Sequence, residues 1–242
     1  MEVFHPRAKR APAAVAGPDF LPGVRPKLVI HTIEAPPGKI FVPEPDNFFG
    51  HDGWPHATID SRGIHQHYPI DTGARTLENP PGGVQTNAAH AIQCEVMGAA
   101  QFVNQIPDST LAHLADWLTW CAEQTGTPLT FATFVPYDPE VTRTAQRFSG
   151  AEWMAFTGIC GHQHVPENSH GDPGDLPVAR LRNLMEEDFM SPELATQLQQ
   201  LMRITEATNA ALGRIEVTVA DPAGGLVHQI EALRQQVAAL NA

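Results

Sequence analysis

Hydrophobic and polar positions follow two different periods along the chain. From Lys27 to Ile33 the run "KLVIHTI" is apolar apart from its first residue, His31 and Thr32, and the Pro-Pro-Gly just beyond closes it; such a run predicts a short buried strand. "WPHATIDSRGIHQHYPID" alternates on both sides of Ser61-Arg62-Gly63 and predicts a hairpin turning there. After the Pro- and Gly-rich loop "TLENPPGGVQTN", the stretch "AIQCEVMG" predicts another buried strand. The period then lengthens. In "DSTLAHLADWLTWCAEQTG", Leu111, Leu114, Leu118 and Cys121 fall on one helical face, Asp108 or Ser109 can cap the start, and Gly126 stops it. A short helix from about Pro139 to Phe148 leads into "EWMAFTGIC", expected as a strand that ends at a histidine-rich loop. Strands and helices thus alternate around one hairpin, which predicts an α/β fold with a mixed central sheet flanked by helices.

Beyond about residue 190 the pattern changes. "SPELATQLQQLMRITEATNAALGRI" predicts a helix capped by Ser191 with Pro192 at its first position, and "LVHQIEALRQQVAALNA" predicts a second. In the latter, Leu226, Ile230, Leu233, Val237 and Leu240 are spaced four, three, four, three, an a/d seam of about two heptads. Such a helix either packs back onto its own domain or pairs with another copy, and both readings stay open. The expected organisation is an N-terminal extension over 1–24, a main domain over 25–190 and a helical tail over 191–242.

Composition narrows the class. With 42% hydrophobic and 17% charged residues the chain is globular rather than disordered. Its 27 acidic residues against 15 Lys and Arg give a net charge of −12, which disfavours nucleic acid as a partner. No apolar run approaches the roughly 20 residues of a membrane span, and the Pro-rich N-terminus lacks the apolar core of a signal peptide. Three widely spaced cysteines, Cys94, Cys121 and Cys160, suggest reduced core thiols rather than a disulfide framework.

Candidate chemistry concentrates in "GHQHVPENSHGDPG", residues 161–174. A turn needs the Pro, Gly, Asn and Asp found there; it does not need His162, His164 and His170. Catalytic zinc sites take three protein ligands and keep a position open. This loop can supply two, His162 just after a strand and Asp172 in an Asp-Pro-Gly turn. His31, at the end of a buried strand where an imidazole needs a partner, is the strongest candidate for the third. Taken singly, each is better read as structural; the triple points to a metal.

Four segments, "KLVIHTIEAPPG", "HATIDSRGIHQHYPID", "AIQCEVMG" and "ICGHQHVPENSHGDPGDLP", resemble in order the motifs of the type 2 N-acetylmuramoyl-L-alanine amidases, the family of phage endolysins, bacterial anhydro-muropeptide amidases and animal peptidoglycan recognition proteins. The resemblance covers roughly 25–185 and implies the mixed sheet of that family. It also implies Zn2+ held by His31, His162 and Asp172, with Glu95 as the acid–base group that serves the attacking water and then the leaving amine. Many members carry a lysine two residues before the last ligand as oxyanion stabiliser; His170 stands there in this chain. His65, His67, His90 and His164 read as surface histidines or as residues around the ligands, and Cys94 and Cys160 as core.

The resemblance implies a zinc-dependent hydrolase of peptidoglycan, cutting between N-acetylmuramic acid and the L-alanine of the stem peptide. The expected setting is a bacteriophage endolysin held in the host cytoplasm until it reaches the wall, or a virion-associated wall hydrolase. Two alternatives are a non-catalytic peptidoglycan-binding module of the same fold and a virion structural protein.

Overall fold

The computed structural model describes residues 2–13, 15–36, 38–41, 53–138 and 146–189, with short pieces of the tail at 200, 203–205, 207–208, 233–237 and 239. The chain divides into two compact units, Met1–Asp188 and Phe189–Ala242.

The first unit is built on a six-stranded sheet. Its strands are β1 (Lys9–Arg10), β2 (Lys27–Thr32), β3 (Ala57–Asp60), β4 (Gly63–Gln66), β5 (Ala91–Val96) and β6 (Gly158–Gly161). They lie in the order β1-β4-β3-β5-β2-β6, with only the β3–β4 hairpin antiparallel. The sheet is therefore mixed, and the hairpin turns at Ser61-Arg62 as the alternation implied. Helix α1 (Asp108–Thr125) covers one face. Leu28, Ile30, Ile59, Ile92, Cys94 and Val96 point toward it and pack with Leu111, Leu114, Trp117, Leu118 and Cys121. Because side chains alternate along a strand, Val29, His31, Gln93 and Glu95 take the opposite face. A smaller apolar cluster of Val29, Leu77, Trp153, Cys160 and Val165 fills part of that face, and the rest carries polar groups. All three cysteines are buried and unbridged.

Three local readings are corrected. The segment expected as a strand from Glu152 begins as helix α2 (Gly150–Ala155), and the strand starts only at Gly158. The cause is a capping box: Ser149 Oγ accepts from Glu152 N while the Glu152 carboxylate accepts from Ser149 N. Of the helix expected over 139–148, residues 139–145 lie outside the described residues and 146–149 are not helical. Neither Asp108 nor Ser109 caps α1. Pro107 holds the cap position without a side-chain bond, and Gly126 ends the helix in the left-handed conformation at φ 70°. A further helix, α3 (Val178–Phe189), buries Leu181 and Met185 in the main core.

The N-terminal stretch is laced to the sheet. β1 runs beside β4, His5 is buried with Nε2 3.2 Å from Asp116 Oδ1, and the Tyr68 hydroxyl donates to Val15 O at 2.6 Å. A Cβ on Gly17 would lie 1.6 Å from Gly73 O, so only glycine permits this approach. In the tail, residues 233–237 are helical, with Leu233 half-buried and Val237 exposed. Leu226, Ile230 and Leu240 of the expected seam lie outside the described residues, and the described ones give no support to association through it. Among them no helix is long and apolar enough to cross a membrane.

Candidate metal centre

Strand register assembles the site. His31 on β2 and Glu95 on β5 are direct partners in adjacent parallel strands. Ile30 pairs with Gly161, the last residue of β6, so His162 falls level with His31. A Cβ on Gly161 would sit 2.4 Å from Pro173 Cδ, and the missing side chain lets the turn after Asp172 fold back against the strand end. Gln163 N donates to Asp172 O at 2.8 Å and closes that return.

The three expected ligands converge and are buried. His31 Nδ1 and His162 Nδ1 face each other at 3.1 Å, His162 Nδ1 is 3.1 Å from Asp172 Oδ1, and His31 Nδ1 is 3.7 Å from Asp172 Oδ2. Zinc–nitrogen bonds of ~2.0–2.1 Å in a tetrahedron set neighbouring ligand atoms roughly 3.3 Å apart, so this donor set fits a zinc-sized ion. Its protonation suits the same purpose. Burial, with the neighbouring His162, pushes His31 down to about 3, so it is neutral at physiological pH. Burial alone would raise Asp172, but His162, His31 and the Thr32 N–H at 3.2 Å outweigh it and hold the carboxyl at about 2.

Glu95 lies beside this group, its Oε1 3.9 Å from His31 Nδ1. Its Oε2 is buried with no hydrogen-bond partner among the described residues. Burial raises this carboxyl well above its usual range, and the nearby charges of Asp172 and Glu34 add to the shift. The raised proton affinity of a carboxyl so placed suits a group that takes up and returns a proton.

His170 is the exposed member. Its ring stacks on that of His162 at 4.4 Å and 6°, and its Nδ1 lies 3.8 Å from Asp172 Oδ1. Burial and His162 lower its pKa, leaving a neutral ring with one N–H to donate at neutral pH.

The other histidines mostly depart from a surface reading. His65, His67 and His164 are buried, and His90 is half-buried against Phe20. His67 Nε2 pairs with Thr58 Oγ1 at 2.8 Å and its Nδ1 with Ala11 O. His164 Nδ1 accepts from Gly161 N at 3.0 Å and Nε2 donates to Thr133 O at 2.9 Å. Histidines at alternate positions suit a solvated face, yet the N-terminal stretch and Phe41 cover this one; a neutral imidazole is tolerated there once bonded. Thr32, which holds Asp172, and Glu34, whose carboxylate accepts from Thr32 Oγ1 at 2.8 Å and Ala100 N at 3.1 Å, carry no sequence signal of their own.

The sequence matches no protein-family model and no curated protein. Solved structures do match. One is the crystal structure of a selenomethionine AmpD derivative, 18% identical over 76% of this chain and 97% of that one, TM-score 0.50. Another is the Staphylococcus aureus hydrolase AmiA in complex with its ligand, 15% identical over 78% of this chain and 85% of that one, TM-score 0.50. The N-acetylmuramoyl-L-alanine amidase LysC from Clostridium intestinale matches more loosely, 11% identical over 75% of this chain and 99% of that one, TM-score 0.44. At these identities the likeness to AmpD and AmiA establishes the fold: this chain shares their mixed sheet and flanking helices.

Proposed function

We propose that this protein is a zinc-dependent N-acetylmuramoyl-L-alanine amidase that cuts peptidoglycan between the lactyl group of N-acetylmuramic acid and the L-alanine of the stem peptide. The observation that carries the reading is the convergence of His31, His162 and Asp172 beside the Glu95 carboxyl, whose Oε2 has no hydrogen-bond partner among the described residues. The choice of substrate rests on the four motifs that resemble the type 2 amidases, carried on the fold shared with AmpD and AmiA. The bacteriophage endolysin setting, with the protein in the host cytoplasm until it meets the wall, rests on the motif resemblance.

His31, His162 and Asp172 would hold the ion. When bound, zinc supplies Lewis acidity, polarising an amide carbonyl and lowering the pKa of water toward ~7. Glu95 takes a proton from the attacking water as its oxygen bonds to the carbonyl carbon. It then returns that proton to the amide nitrogen as the C–N bond breaks, leaving a carboxylic acid on the lactyl side and the free amine of alanine. His170, at the open side, donates its N–H to the carbonyl oxygen as charge gathers there.

Dye release from labelled cell walls tests this. Release that stops with a chelator and returns with zinc supports the amidase. Wall binding without release would instead mark a non-catalytic recognition module, and neither binding nor release a virion structural protein.

A further inference from the structure

The loop that carries the site is held at two separate places. The ligand end is fixed by Thr32 N on Asp172 Oδ2 and Gln163 N on Asp172 O. Gln163 strengthens this end with its side chain, donating to Gly174 O at 2.8 Å and accepting from Val135 N at 3.1 Å. The stretch between the ligands, 165–170, is held by other groups. Asn168 Nδ2 donates to Val165 O at 2.5 Å, and its Oδ1 accepts from His170 N at 2.7 Å. Arg147, from a different segment, donates from Nη1 to Val165 O and from Nη2 to His170 O, each at 3.1 Å. Its chain neighbour Phe148 donates from N to His164 O at 2.9 Å, so the 147–148 backbone lies along the loop.

We propose that Arg147 is a positioning residue for His170, bridging the carbonyls of Val165 and His170 so that the His170 ring stays stacked on His162 at the mouth of the centre. A guanidinium suits the task because its planar fork reaches two acceptors at once in fixed geometry, whereas an ammonium on a flexible stem is a single point donor. The carbonyls that Arg147 holds belong to Val165 and His170; its charge also acts on Asp172, which has Thr32 N and His162 as partners of its own. The inference rests on the amidase reading only where activity is the measure, because the position of His170 can be followed without turnover.

The test uses zinc-loaded full-length protein with 13C-labelled histidine, the His170 ring resonance being assigned from its loss in His170→Ala. In wild type the stacked His162 ring displaces that resonance from the value of a free histidine. Arg147→Ala is expected to return it toward the free value while zinc content and the His31 and His162 resonances stay unchanged. In dye release, Arg147→Ala and His170→Ala should each fall on the order of 10²-fold, and the double variant should fall no further than either alone. Arg147→Lys should recover part of the loss and carries the same resonance test should Arg147→Ala not fold. An unmoved His170 resonance, loss of zinc in Arg147→Ala, or a double variant that falls by the product of the two single losses would overturn the proposal. If wild type itself releases no dye, the amidase reading fails alone, and the resonance still decides the role of Arg147.

Discussion

His31 and Glu95 are cross-strand partners in the parallel sheet, with His31 Nδ1 3.9 Å from Glu95 Oε1. That one relationship separates two roles. His31, at the end of β2, faces His162 and Asp172, while Glu95 on β5 keeps a buried carboxyl oxygen that has no hydrogen-bond partner among the described residues.

Glu95→Gln therefore keeps zinc and fold and loses on the order of 10²–10⁴ in wall hydrolysis, the usual worth of a positioned acid–base group. Because burial and nearby negative charge oppose ionisation of Glu95, metal-free Glu95→Gln should melt no lower than wild type at pH 7. Near wild-type release by Glu95→Gln would place the base elsewhere.

His170→Lys tests whether charge can replace a neutral donor. A lysine stays charged to about pH 10, whereas burial and His162 hold His170 toward its neutral form. The lysine variant should keep substantial activity and extend the rate profile to higher pH. A profile identical to wild type would separate this position from the rate-limiting step.

Lys27 gives a stability signature away from the site. It is buried, donates to Ala89 O at 2.6 Å and lies over the Trp153 ring, and burial lowers its pKa from 10.5 to about 8. The folded protein thus loses this proton before the unfolded chain does, so the penalty for burying the cation is full below pH 8. It is relieved between about 8 and 10.5, by up to about 3 kcal/mol. The three buried thiols, all raised by burial, act oppositely above pH 9. The difference in unfolding free energy between wild type and Lys27→Met, measured by denaturant titration across this range, isolates the lysine. Wild type should gain on the variant as pH rises; a constant difference would refute the buried-cation account.

Asp116 on α1 anchors the N-terminal stretch through His5 and Arg7. Asp116→Ala should cost about 1–3 kcal/mol by stranding the buried His5 nitrogen. It should also speed protease cleavage within residues 2–13. Unchanged cleavage and unchanged melting would show that this anchor contributes nothing.

Much of the centre was legible because its residues sit on strongly patterned strands. β2 and β5 are buried on both faces and read as apolar runs, so a histidine and a glutamate within them stand out. The turn around Asp172 announced itself through Asp-Pro-Gly. What stayed hidden depends on distant segments. The burial of His65 and His67 follows from coverage by the N-terminal stretch and Phe41, which no local period encodes. Helix α2 was masked by the apolar residues of "EWMAF", which suit a strand equally well; the capping box between Ser149 and Glu152 is what makes it a helix. Arg147 reaches its two carbonyls from 18 and 23 residues away, with no motif linking them.

The central claim is a single zinc held by His31, His162 and Asp172, and metal content measures it most directly. Elemental analysis of purified protein should give about one zinc per chain, and His31→Ala and His162→Ala should each lose both the metal and wall hydrolysis while remaining folded. Full zinc occupancy in both variants would contradict the assignment.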